Sequence, residues 1–511
     1  NYTRQNSFTK KLVSADNTYV TGLMEEGTDT GMYVQSYMTE VSVLGEAYNL
    51  YYNLNYAANF DFLKAEHSFL AGVTFRDEFN LGEGRIFNPL TPPSISGIKR
   101  DRPRNYEDLS ALTTTSFYIE DKIKGKLLIP YQLNLGARLE SYGDDTFLAA
   151  NYGTYLNPRL NILLHPTKTT QIRFGYGETS KAPSLAMLNP NPIHVDVDDV
   201  NNIVDSLVIV STYIYSKENP DLKASRQKKW EVSIDQRIGD IGLSLTAYQS
   251  TTLDGFSLST RKPIFVYKYD YTVSETDPPI HDSISTTYTI YDNSLTAETR
   301  GLEFEINTKP FTPLNMRLRV QGAYNYTYSE KGKYDLRGYI YIPEMDEKVN
   351  PFFIYRSLER EKFYMNYNLD FKIKELGAWA TISAQQVVFD KDRYNHLNDS
   401  LAVGYFNSHG EEIYFTEQEQ AAITNTSFKK TYDDYWYLEE NRKNIWVFNI
   451  RVSKSLGKAS EFSFYVNNFF NYRPLYQLQR SSNERYTMEN PALYFGIEVS
   501  SKIDQLFRGG K

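Results

Sequence analysis

The stretch YLNPRLNILLHPTKTTQIRFGYGETSKAPSL, residues 155–185, decides how the rest of the chain is read. Tyr155 to Leu164 and Thr169 to Ser180 each read as one extended segment, and His165, Pro166, Thr167 and Lys168 turn the chain back between them. In the second segment Ile172, Phe174 and Tyr176 fall on one face, and Gln171, Arg173, Gly175 and Gly177 on the other. The unit is a hairpin with one oily face and one wet face.

Outward from this stretch the same unit recurs. Leu50, Tyr52, Leu54, Tyr56, Phe60 and Phe62 oppose Asn49, Asn53, Asn55, Asn59 and Asp61. Trp230, Val232, Ile234 and Ile238 oppose Glu231, Ser233, Asp235 and Arg237. The pattern predicts about 15–16 strands of roughly ten to fifteen residues, against about five or six in soluble sheets. Tight turns, as at Gly239–Asp240 and Leu376–Gly377, alternate strictly with long loops such as Leu81 to Leu109 and Asp390 to Arg442. A soluble fold has no reason to make every second connection short. A membrane-spanning barrel does, because turns face one compartment and loops the other.

Composition agrees. The 511 residues are 41% hydrophobic and 15% aromatic, with 43 Tyr and 29 Phe, ample for one large domain. No stretch of about eighteen apolar residues predicts a membrane helix. The mean hydropathy of -0.52 suits a barrel in which half of every strand faces water. A net charge of -8, without basic clusters interleaved with aromatics, argues against a nucleic-acid partner. Zero cysteines exclude disulfides and thiolate metal sites. The N-terminus, NYTRQNSFTKK, lacks the apolar core of a signal peptide. We therefore expect an all-β, antiparallel transmembrane β-barrel over 47–502. An extracellular loop and partial strand occupy 1–46, and a periplasmic tail 503–511.

Four segments resemble a known family. LNPRLNILLHPTKTTQIRFGYGETSKAPSL (156–185) is similar to the NPR…L…GYG…KAPS signature of TonB-dependent outer-membrane receptors. ENPDLKASRQKKWEVSID (218–235), SFYVNNFFNYRPL (463–475) and TTSFYIEDKI (114–123) resemble three further motifs of that family, in the expected order. The resemblance implies a roughly 22-strand barrel around a plug, energised from the inner membrane through TonB. It implies an outer-membrane location in a Gram-negative cell, contact with lipid and lipopolysaccharide, and room for a surface lipoprotein partner. No plug or TonB box is recognisable before Asn49. Both are expected outside this sequence or on another polypeptide.

Such a receptor captures a scarce small-molecule or oligomeric ligand on its long loops and imports it. A passive porin, a surface adhesin and a soluble all-β carbohydrate-active enzyme are the alternatives. Loop aromatics suited to stacking are Tyr213, Tyr215, Tyr267, Tyr269, Tyr271, Tyr435, Trp436 and Tyr437. Loop packing is their plainer role. His194 resembles in placement the haem-ligating His of haem-uptake receptors, and a solvated loop histidine is the preferred reading. Asp196, Asp198, Asp199, Asn201 and Asn202 form an oxygen-rich run without EF-hand spacing, and a solvated acidic loop outweighs a Ca²⁺ site. No cofactor and no catalytic constellation is implied: Gly175 and Gly177 sit in a strand, and the adjacent pairs Asp144–Asp145 and Asp433–Asp434 point to opposite faces.

Overall fold

The computed structural model describes the whole chain except residues 16–17, 145–146, 149, 259–260, 275, 277, 312–314, 344–345, 396–399, 458 and 503–511. The tail, Asp145 and part of the Pro310–Pro313 turn therefore lie outside the described residues.

Of the 17 strands in the main sheet, all but the short Gly84–Ile86 follow one another in chain order. They are β1 (Tyr2–Val13), β2 (Tyr37–Phe62), β3 (Ala65–Asn80), β4 (Leu112–Lys126), β5 (Pro130–Gly143), β6 (Thr154–Thr167), β7 (Thr170–Lys181) and β8 (Ser225–Ile238). Then come β9 (Ile241–Ser257), β10 (Asp292–Thr308), β11 (Met316–Glu330), β12 (Ser357–Ile373), β13 (Ala378–Asn395), β14 (Glu440–Leu456), β15 (Ser460–Asn467) and β16 (Tyr494–Ser501). Each pairs antiparallel with the next. β2 pairs with β1 through Tyr37–Tyr48 and with β3 through Ala47–Phe62.

The turns obey local chemistry. Leu63 and Lys64 between β2 and β3 both take positive φ, 50° and 62°, the mirror turn whose twist matches its strands. Gly239 turns β8 into β9 with φ 56°, where a side chain would be strained. Two expectations shift. His165, Pro166 and Thr167 stay in β6, and the reversal falls at Lys168 and Thr169 after an irregular register beyond Leu164. Lys124 and Gly125 remain in β4, and the turn falls at 127–129. The N-terminal reading is also revised: Tyr2–Val13 is a full strand, hidden because charged and polar residues interrupt its apolar face.

The apolar face of the sheet has nothing packed on it. Leu54 is 73% exposed and Val499 65%, with Tyr52, Tyr56 and Phe495 comparably open and Ile234 exposed at 43%. On this face, toward the long loops, rings interlock: Tyr367 stacks on Trp446 at 5.8 Å, Trp446 on Phe448 at 5.6 Å, and Phe363 meets Phe389 at 6.0 Å. Such a belt marks a membrane interface. The clusters of buried apolar side chains lie instead in the long loops.

Candidate functional site

Two bodies are built from the loops. In the first, the hairpin Ile193–Asn202 with Leu207–Tyr215 is covered on both faces. One face sets Val195 and Val197 against Ile264 and Val266 of a second hairpin, Arg261–Tyr269 with Ile280–Thr289. The other sets Val208 and Val210 against Tyr19 and Tyr33. In the second body Phe352, Phe353, Tyr334 and Phe406 anchor the loops 331–343, 346–356 and 400–439. Lys348 ties the two together, donating to Asp282 Oδ1 and to the Ser283 carbonyl, both at 3.2 Å.

These bodies sort the residues singled out by sequence. Tyr213 and Tyr215 pack in the seam of the first body and donate their hydroxyls to the carbonyls of Tyr267 (2.7 Å) and Phe265 (3.4 Å). Burial pushes the Tyr215 phenol up to about 12. Tyr267 and Tyr269 lie half-buried on the facing hairpin and Tyr271 in its connecting loop.

The acidic run is not a solvated loop. Asp196 is buried and receives both Arg102 Nη2 contacts, at 2.9 and 3.0 Å, with Thr212 Oγ1 donating at 2.9 Å. Asp199 accepts from Ser211 and from the Tyr269 backbone, and burial holds its carboxyl above the usual range. Asp198 accepts from Asn201 at 2.7 Å and lies 3.7 Å from Lys268. Asn202 donates to Asp205 at the hairpin's far end. Among the described residues no three His, Asp or Glu side chains gather to hold a metal. His194 is 6% exposed and not solvated. Burial pulls its imidazole below the ordinary value, with Arg102 adding to the shift and Asp196 opposing it.

Tyr435, Trp436 and Tyr437 have a different setting, in the short helical turn Asp434–Tyr437. There Trp436 joins Tyr394 and Tyr432 around Arg356, whose guanidinium lies 4.9, 4.9 and 5.4 Å from their ring centres. Arg480 covers the Tyr394 ring at 4.7 Å. Tyr435 packs on Trp436 at 5.5 Å, and Tyr437 is exposed.

Register fixes which face of the sheet carries this cage. Lys362 opposes Asp390, Arg360 opposes Asp392 and Leu358 opposes Tyr394, and all continue the polar face of β12 and β13. Arg360 grips Asp390 through two bonds of 2.9 and 2.7 Å. Arg480 pairs with Asp392, and its backbone N–H donates to Glu440 at 2.8 Å. Arg442 reaches Glu489 at 3.1 Å, and the Tyr476 hydroxyl donates to Glu440 at 2.7 Å. Burial, then Glu440, pushes the Tyr476 phenol up to about 12. Arg356 and Arg480 were not singled out from sequence: neither sits in a motif, they lie 124 residues apart, and only the fold brings them to one ring. The arrangement presents aromatic faces and guanidinium groups at the loop end of the polar face, a surface for binding and not for bond-making.

The TonB dependent receptor-like, beta-barrel family model matches residues 1–469. The chain belongs to that family, whose β-barrels sit in the Gram-negative outer membrane. Among solved structures it is similar to the siderophore receptor PirA from Acinetobacter baumannii, at 12% identity and a TM-score of 0.53 over 98% of this chain and 62% of that one. It is also similar to a mutant ferric enterobactin receptor, PfeA, from Pseudomonas aeruginosa in complex with enterobactin, at 14% identity and a TM-score of 0.51 over the same shares. The chain thus spans about three fifths of the length of these structures, and the likeness concerns the fold. No curated protein matches the chain.

Proposed function

We propose that this chain is the transport barrel of an energised importer, with strands from Tyr2 to Ser501, capturing a scarce small-molecule or oligomeric ligand at its long-loop end. The carrying observation is the division of labour across the sheet: a bare apolar face for lipid, and a polar face ending in the Arg356 cage beneath dry, folded loops. A passive pore has no use for a guanidinium stacked among three rings at its mouth. An adhesin has no use for a charged lining carried down the strands, such as Arg173 on Asp235 at 2.9 Å. The 17 strands of the main sheet form part of a roughly 22-strand barrel. Energy would arrive from TonB through a plug that this sequence does not contain. Lipopolysaccharide on the outer belt and a surface lipoprotein over the loops complete the set of partners.

The test is uptake in cells producing the full-length receptor, with and without a protonophore. Accumulation that stops when the proton gradient collapses supports import. Accumulation that persists fits a porin, and surface binding without accumulation fits an adhesin; both overturn the proposal.

A further inference from the structure

Arg356 is anomalous among the guanidinium groups at the sheet's loop end. Arg360, Arg442 and Arg480 each lie against carboxylates: Asp390, Glu489, and Asp392 with Glu440. Arg356 has no carboxylate within 4 Å among the described residues; it has only rings. Its Nη1 is buried with no hydrogen-bond partner, and so is Nη1 of Arg480 on the shared ring of Tyr394. A charged donor kept dry and unpaired is costly, and the rings around it offer Nη1 no conventional N/O acceptor. What stays unsatisfied is the in-plane edge, where a guanidinium meets a planar two-oxygen acceptor side by side.

From this geometry we infer that the cage of Arg356, Tyr394, Tyr432 and Trp436 is a binding site for a ligand bearing a carboxylate, which completes the Arg356 guanidinium. The inference rests on the capture role proposed above and names the chemistry of what is captured. The carboxylate enters in the guanidinium plane. A neutral amide of the same shape has one acceptor and two donors where the carboxylate has two acceptors, and does not replace it. Nη1 is covered, so entry displaces the short turn Asp434–Tyr437 that carries Trp436. The adjacent rings of Tyr435 and exposed Tyr437 offer the ligand's body an aromatic wall.

The experiment is a fluorescence titration of the detergent-solubilised receptor with benzoate, and with benzamide as the neutral match. A fragment of this size binds in the millimolar range. Benzoate should change the emission saturably, with an affinity at least tenfold above benzamide. Trp436→Phe should abolish the change, which assigns it among the four tryptophans. Arg356→Gln should weaken benzoate at least tenfold, and Arg356→Lys by less. Equal response to benzamide in the wild type, or an unchanged titration in Arg356→Gln, overturns the inference. The wild-type comparison decides it even if the variant fails to fold. The failures are separable: benzoate binding without gradient-dependent uptake sinks the import reading alone, and uptake without charge selectivity sinks this one alone.

Discussion

At the scale of single residues, the loop bodies depend on charges that water does not reach. Arg102 and Asp196 are 3% and 1% exposed at their side chains, 2.9 Å apart. Removing either partner strands the other, so Asp196→Ala should destabilise the first loop body by about 3–5 kcal/mol, read as faster hydrogen exchange over 193–215. His194 adds a pH dependence. Its folded value lies below the ordinary value of about 6.5, so the unfolded chain takes up a proton that the fold refuses. Stability is complete above that pH and falls as pH drops through the window beneath it. Exchange over the same segment should therefore quicken as the pH falls below about 6.5, and His194→Gln should flatten the response. Asp199, held high by burial, acts lower, in the carboxylate range, where protonation relieves it. Little of this was legible in the sequence. Tyr213 and Trp436 are both loop aromatics with polar neighbours, and only tertiary placement makes one a seam residue and the other a wall of the cage.

At the scale of the strand, legibility was high. Every strand meets two solvents, and alternation such as Trp230, Val232, Ile234 follows directly from that. Failures came where charged and polar residues interrupt the apolar face, as Arg4, Asn6 and Lys10 do between Tyr2, Phe8 and Leu12, or where turn-like residues run on in extended form, as at His165 and Pro166. Glycines within strands had no visible purpose in sequence. In register, Gly72 faces Tyr118, Gly301 faces Tyr248 and Gly496 faces Tyr465, and each tyrosine ring lies where a Cβ would stand. The ring covers the bare backbone of the glycine opposite. Gly301→Val should then destabilise the barrel by about 1–3 kcal/mol in urea unfolding, and the added change Tyr248→Ala should recover part of the loss. On the other face, Val232→Arg puts a cation into lipid and should lower stability by about 2–4 kcal/mol if the residue lies near the midplane.

At the scale of the whole molecule, the sheet and the loop bodies draw on different forces. The sheet is held by ladder bonds and by lipid, and the loops by their own dry interiors. Deleting 261–289 strips one face from Val195 and Val197. Limited proteolysis should then cut within 193–215, while the barrel's unfolding midpoint stays where it was. Whatever approaches the barrel from the loop side meets these bodies first. Because those bodies carry private interiors, a lineage can redraw its outward features without reopening the bargain its strands have struck with the bilayer, provided Phe352 and Val195 keep their company.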